Sequence, residues 1–180
     1  IPTKALLDNA NLYRKLKHDA GAFGISFDNL KLDFPTMIKR SRDIATKLNK
    51  GIAHLFSKYT VKHVIGTASI PAKNKVVITK SDGSKEEATA EHILVATGAR
   101  AKSLPGIEFD GKQIIGSREA MILESIPKKL LIIGAGAIGC EFADIYSSVG
   151  SDVTIVEFLD RVLPNEDEDV SILLKRSFEK

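Results

Sequence analysis

Cysteine is nearly missing from this sequence: Cys140 is the only one in 180 residues. One thiol cannot close an internal disulfide, and no CxxC or Cys/His spacing is present for a structural zinc. Long apolar runs are missing too, since no stretch approaches the roughly 18–20 residues that a membrane-spanning helix needs. An excess of one charge is also missing. Lysine and arginine total 26 against 23 acids, a net charge of +3. The cations are scattered without interleaved aromatics, which argues against a nucleic-acid partner. The histidines, His18, His54, His63 and His92, stand apart without acids at a motif spacing. No catalytic role and no metal site is assigned to them. The remaining composition, 43% hydrophobic and 27% charged, reads as soluble and globular.

Against these absences stands one dense stretch, residues 128–157. An apolar run at 130–133 is followed at once by Gly134, Gly136 and Gly139 in GxGxxG spacing. A helical pattern comes next, then a second apolar run at 153–156 that ends on Glu157. Strand, tight turn, helix and strand within about thirty residues make a dinucleotide-binding βαβ unit. Gly134 lets the chain turn, Gly136 admits a pyrophosphate to the backbone, and Gly139 lets helix and sheet pack closely. The helix start at Ala137, Ile138 and Gly139 offers unpaired N–H groups to the phosphates. Glu157, near the expected spacing of about twenty residues from the first glycine, suits ribose hydroxyls. Its charge repels a 2′-phosphate and favours NAD over NADP. Arg161, four residues on, is the one nearby cation and a weak counter-argument.

The rest of the chain reads as a mixed α/β arrangement. A helix is expected from Thr3 to about Ala20, with Leu6, Ala10 and Tyr13 on its apolar stripe and Gly21 as its C-terminal stop. Asp33 is the expected N-cap of a long helix to about Tyr59. Its apolar face runs from Met37 and Ile38 to Leu55 and Phe56, and Gly51 is taken as a close-packing point. Strands are expected at 61–70, 75–80 and 85–89, the last two joined by a hairpin turn at Ser81-Asp82-Gly83-Ser84. A short buried strand at 92–96 then runs into Thr97-Gly98. The consecutive strands suggest a β-meander inserted into an α/β domain. A connector follows, with a short strand at 113–115 and a capped helix at 117–120. The acids at 165–169 read as a helix start, since the glycine and late glutamate of a calcium loop are missing. Cys140 reads as a small packing residue.

Four motifs together resemble the flavoprotein pyridine nucleotide-disulfide oxidoreductases: IPTKALL (1–7), LVATGAR (94–100), IGAGAIGCEFA (133–143) and VEFLDRVLP (156–164). The first and last point to the dihydrolipoamide dehydrogenase branch, and the resemblance runs through all 180 residues. It implies an α/β fold of two Rossmann-like dinucleotide-binding domains, one for FAD and one for NAD. Each is expected to be only partly present, with the meander in the FAD domain. Residues 1–116 would belong to the FAD domain and 117–180 to the N-terminal part of the NAD domain. Electrons would pass from reduced lipoamide to a protein disulfide, to FAD, and then to NAD. By resemblance Lys4 lies beside the flavin and Glu141 faces it, so a Lys4–Glu141 pair is expected. Glu141 also reads as a buried acid in need of a partner. Gly66 and Ala68 match a strand at the adenine of FAD, and Thr97 and Gly98 match a motif near its phosphates.

The same resemblance implies a homodimer. It implies as partner the lipoyl domain of a 2-oxoacid dehydrogenase or glycine cleavage complex, in a bacterial cytoplasm or mitochondrial matrix. The redox cysteines, the first FAD-binding GxGxxG and the C-terminal interface domain are not in the sequence. The chain is therefore expected to be a piece of a longer enzyme, inactive and poorly folded alone, with no catalytic residue of its own. Other readings are another flavoprotein disulfide reductase, a transhydrogenase, or a non-catalytic nucleotide-binding remnant.

Overall fold

A computed structural model describes residues 2–179. Ile1, the first residue of the IPTKALL motif, and Lys180 lie outside the described residues. The chain divides into two compact units, one from residues 1–47 and 103–180, the other from 48–102.

In the first unit, α1 (Pro2–Asp19) packs along α4 (Ala137–Val149). α1 presents Leu6 and Ala10, at i and i+4, and both are buried. The helix passes into a 3-10 turn, Ala20–Phe23, and stops at Gly24 with φ +70°. α1 thus ends within one residue of the expected Ala20, but Gly21 is not its left-handed stop. Gly21 is taken up in the 3-10 turn, and the left-handed conformation falls on Gly24. α2 (Phe34–Lys58) starts as expected. Asp33 accepts the Thr36 N–H at 3.1 Å and the Thr36 hydroxyl at 2.7 Å, which holds the carboxyl below its ordinary pKa. Its first turns bury Phe34, Met37 and Ser41.

Phe34, Phe142 and Tyr146 form the aromatic centre of the core, with ring centroids 6.2 and 6.3 Å from Tyr146. Tyr146 also donates its hydroxyl to the Ala120 carbonyl at 2.6 Å. Burial pushes its pKa up to about 12. α3 (Ser117–Ala120) is the capped short helix expected, and the Glu119 carboxylate accepts the Gly116 N–H at 2.9 Å. No strand forms at 113–115. Asp110 instead accepts the N–H groups of Lys112, Gln113 and Ile114 at 2.7–2.9 Å, which winds the segment into a turn.

β4 (Lys129–Ile133) and β5 (Asp152–Val156) pair in parallel, with Leu130 opposite Val153 and Ile132 opposite Ile155. Leu130, Ile132 and Val153 pack on the core. The alternate residues Leu131, Ile133 and Val156 are exposed. Among the described residues only one face of the pair is covered. The register is pinned at its start, where the Asp152 N–H and the Ser151 hydroxyl donate to the Lys128 and Pro127 carbonyls at 2.9 and 2.7 Å. α5 (Glu168–Phe178) follows Asp167, so the 165–169 acids do open a helix.

The second unit is the expected meander: β1 (Thr67–Ala72), β2 (Lys75–Thr79) and β3 (Lys85–Thr89), antiparallel in the order β1-β2-β3. The hairpin turn carries Gly83 at φ +82°, and Asp82 accepts the Ser84 N–H. Glu86 receives Lys62 and Lys80 at 2.5 and 2.8 Å, which pull its carboxyl pKa to about 2. Three expectations fail here. The first strand begins at Thr67 rather than 61, because pairing with β2 reaches only Thr67 opposite Thr79. Residues 92–96 form no strand. Nothing among the described residues pairs with them, and Leu94 is 91% exposed. Gly51 is not a close-packing point, since a Cβ there would meet nothing within 4 Å, and the neighbouring Leu48, Ile52 and Leu55 are exposed.

Candidate functional site

The expected βαβ unit is formed, and each glycine in it has a distinct job. Gly134 leaves β4 at φ +106°, a conformation that a side chain would strain. A Cβ on Gly139 would lie 2.0 Å from the Gly134 carbonyl oxygen and 3.3 Å from the Ile132 side chain. Only glycine therefore lets α4 start directly against the end of β4. A Cβ on Gly136 would meet nothing within 4 Å, so the space around this position is open. The first intrahelical bond of α4 runs from the Cys140 N–H to the Gly136 carbonyl at 3.0 Å. The N–H groups of Ala137, Ile138 and Gly139 precede it at the positive end of the helix. Ala137 and Ile138 are exposed there.

Glu157 ends β5 beside this turn. Its Oε2 accepts the Ala135 N–H at 2.7 Å and its Oε1 accepts the Leu159 N–H at 2.9 Å. These bonds, Leu159 first and Ala135 second, lower the carboxyl pKa. The group is therefore a carboxylate in a fixed orientation at neutral pH. Each oxygen keeps a second lone pair, so both can accept hydroxyl donors without releasing the loop. Ala135, fully buried, is held from its other side by the Leu163 N–H at 2.8 Å and the Cys140 thiol at 3.3 Å, both donating to its carbonyl. Burial and the nearby Glu157 charge raise the Cys140 pKa, so the thiol is a protonated packing group despite its place in the first turn of the helix.

Lys4 on α1 and Glu141 on α4 meet at 3.9 Å. The pairing is as expected, but the expected burial is not. The side chains are 76% and 33% exposed. Glu141 sits at the edge of the α1–α4 contact, where water reaches it, so the pair contributes little stability. The other candidates lie in the second unit. Gly66 is close-packed, with a Cβ meeting the Thr79 carbonyl oxygen and the Ile78 side chain at 2.6 Å. That glycine is required by its own meander. Ala68 is an exposed strand residue opposite Ile78. Thr97 and Gly98 are exposed, with Gly98 at φ +79°. Sequence patterns did not single out Ala135 and Leu163, the two backbone positions that couple the glycine turn to the segment after β5. Hydrogen bonds through backbone atoms carry no residue preference, so no such signal exists.

The strand–glycine turn–helix–strand unit thus ends on an oriented carboxylate. Residues 1–180 match the family described as pyridine nucleotide-disulphide oxidoreductase. The chain belongs to that family. It is 46% identical over its whole length to a dihydrolipoyl dehydrogenase of Chlorobaculum tepidum and covers 38% of that protein. It is 38% identical to the mitochondrial dihydrolipoyl dehydrogenase 1 of Arabidopsis thaliana, again over the whole chain and over 36% of the relative. Among solved structures it is similar to LpdA from Mycobacterium tuberculosis, at 30% identity and a TM-score of 0.86. That match covers 99% of this chain and 39% of LpdA. The chain thus spans less than two fifths of the length of these relatives. The α/β class read from the sequence stands. No described helix is long and apolar enough to cross a membrane.

Proposed function

We propose that this chain supplies the NAD-binding βαβ unit and flavin-flanking residues of a dihydrolipoyl dehydrogenase, which oxidises dihydrolipoamide with NAD through a disulfide and FAD. The observation that carries the reading is Glu157. It is held as a carboxylate by the Ala135 and Leu159 amides, beside a glycine turn open at Gly136. An anion fixed there accepts ribose hydroxyls and repels a 2′-phosphate. The amides of Ala137, Ile138 and Gly139 would hold the pyrophosphate, and Gly134 would shape the turn beneath it. When bound, NAD supplies the hydride-accepting chemistry. The residues of the chain bind it, orient it and select it.

Lys4 and Glu141 are read as flavin neighbours, with Gly66, Ala68, Thr97 and Gly98 towards the adenine and phosphate end of FAD. The match of residues 1–180 to the family supports these assignments. The same reading puts the functional boundary near Gly116, with 1–116 serving FAD and 117–180 serving NAD. It gives the whole protein a homodimeric state and a lipoyl domain as partner, in a bacterial cytoplasm or a mitochondrial matrix.

The test is steady-state turnover of the full-length protein. It is expected to reduce NAD with dihydrolipoamide, and to reduce glutathione disulfide with NADPH far more slowly. The opposite preference would move the reading to another disulfide reductase of the family. Turnover by neither route would leave a non-catalytic nucleotide-binding protein.

A further inference from the structure

Arg161 is the single cation in the segment 157–167 that follows β5. A guanidinium four residues past the ribose-binding acid is well suited to grip a phosphate. In the structure it is engaged elsewhere. Its Nη2 donates to the Pro164 carbonyl at 3.2 Å and to the Glu166 carbonyl at 3.4 Å. Between Arg161 and these two carbonyls lies Leu163 at φ +49°, a left-handed conformation unfavourable for a branched side chain. Leu163 is pinned at both ends. Its N–H donates to the Ala135 carbonyl at 2.8 Å, and its own carbonyl accepts the Glu166 N–H at 2.9 Å and the Ser171 hydroxyl at 3.3 Å. Such a conformation persists only where its surroundings hold it. Ala135 lies between Gly134 and Gly136, so displacement of Leu163 would reach the glycine turn through one hydrogen bond.

We propose that Arg161 is a positioning and specificity-determining residue of the dinucleotide site: it ties the Leu163 turn that holds Ala135, and by that engagement it is withheld from a 2′-phosphate. The inference rests on reading this unit as an NAD site. It adds a second source of cofactor preference to Glu157. The acid repels the extra phosphate, and the one cation of the segment 157–167 is occupied by the carbonyls of its own loop. The hydrogen bonds proposed as the tie involve no atom of the nucleotide, so its effect is on positioning.

The test uses the full-length protein with Arg161→Ala and Arg161→Lys. Binding of NAD and NADP is read by calorimetry, and backbone hydrogen exchange is followed at Ala135 and Leu163. Arg161→Ala is expected to weaken NAD binding by about tenfold, to raise KM for NAD more than it lowers kcat, and to speed exchange at both amides. Arg161→Lys keeps the charge but loses the planar fork. It is expected to narrow the ratio of NAD to NADP affinity, because its ammonium is free to meet a phosphate. Unchanged NAD affinity and unchanged exchange in Arg161→Ala would overturn the inference. Should that variant not fold, an Arg161→Lys protein with wild-type affinity for both nucleotides would overturn it instead. A wild-type protein that binds no NAD would refute the site reading itself, a result distinguishable from either of these.

Discussion

The Cβ that Gly139 lacks would sit 2.0 Å from the carbonyl oxygen of Gly134. That contact sets the distance between α4 and β4, and backbone, unlike a flexible side chain, cannot swing aside. Gly139→Ala is expected to lower stability by about 2 kcal/mol or more, as overpacking against a rigid neighbour does, and to spoil nucleotide binding with it. Gly136→Ala is the contrasting case. Open space surrounds its position and its φ of −70° suits alanine. The fold should tolerate it, while the added methyl obstructs the pyrophosphate. Thermal midpoints and NAD affinity of the two variants, measured side by side, separate the structural glycine from the one proposed to face the ligand.

Glu157 gives a pH-dependent prediction. Its pKa is lowered in the fold by the Leu159 and Ala135 amides. A depressed carboxyl pKa contributes stability above the unfolded value, ordinarily near 4.3, and that contribution is lost as pH falls through the folded value. The difference in thermal midpoint between wild type and Glu157→Gln should therefore be present at neutral pH and shrink below pH 4. The same variant removes the repelling charge and should bind NADP better relative to NAD.

Tyr146 lies in the core that supports the site. Its hydroxyl donates to the Ala120 carbonyl at 2.6 Å, and burial raises its pKa to about 12. Tyr146→Phe is expected to cost about 1 kcal/mol by leaving that carbonyl without its donor. A raised tyrosine pKa stabilises the fold below the unfolded value near 10 and loses that contribution as pH rises towards 12. The wild-type protein should thus lose stability across this alkaline window more steeply than Tyr146→Phe, as denaturation curves at several pH values would record.

The Lys4–Glu141 pair, at 3.9 Å and open to water, should matter little to stability. Glu141→Gln is expected to change it by less than about 0.5 kcal/mol. If the two residues flank the flavin as proposed, the same variant should alter the rate of flavin reduction by dihydrolipoamide. A large loss of stability with unaltered flavin kinetics would assign the pair a structural role only.

The βαβ unit was legible because its glycines, apolar runs and terminal acid each answer to a local requirement, and those requirements fall at fixed spacings. The Asp33 cap and the 81–84 hairpin were legible for the same reason. Residues 92–96 and 113–115 were not. Their apolar composition is that of strands, but a strand exists only where a neighbour pairs with it, and Asp110 offers the second segment a tighter local alternative. Glu141 looked buried because its helix is otherwise apolar, whereas exposure depends on where the α1–α4 contact ends. The tie between Ala135 and Leu163 could not be read at all, since it is made by main-chain atoms.

Glu157 and the glycine turn are proposed to form a site for NAD rather than NADP. The most direct measurement is the equilibrium affinity of the full-length protein for the two nucleotides under identical conditions. One carboxylate close to a 2′-phosphate in a partly shielded site gives a preference on the order of 100-fold. NAD bound tighter by about that factor is the predicted result, and equal affinities or a preference for NADP would contradict the account.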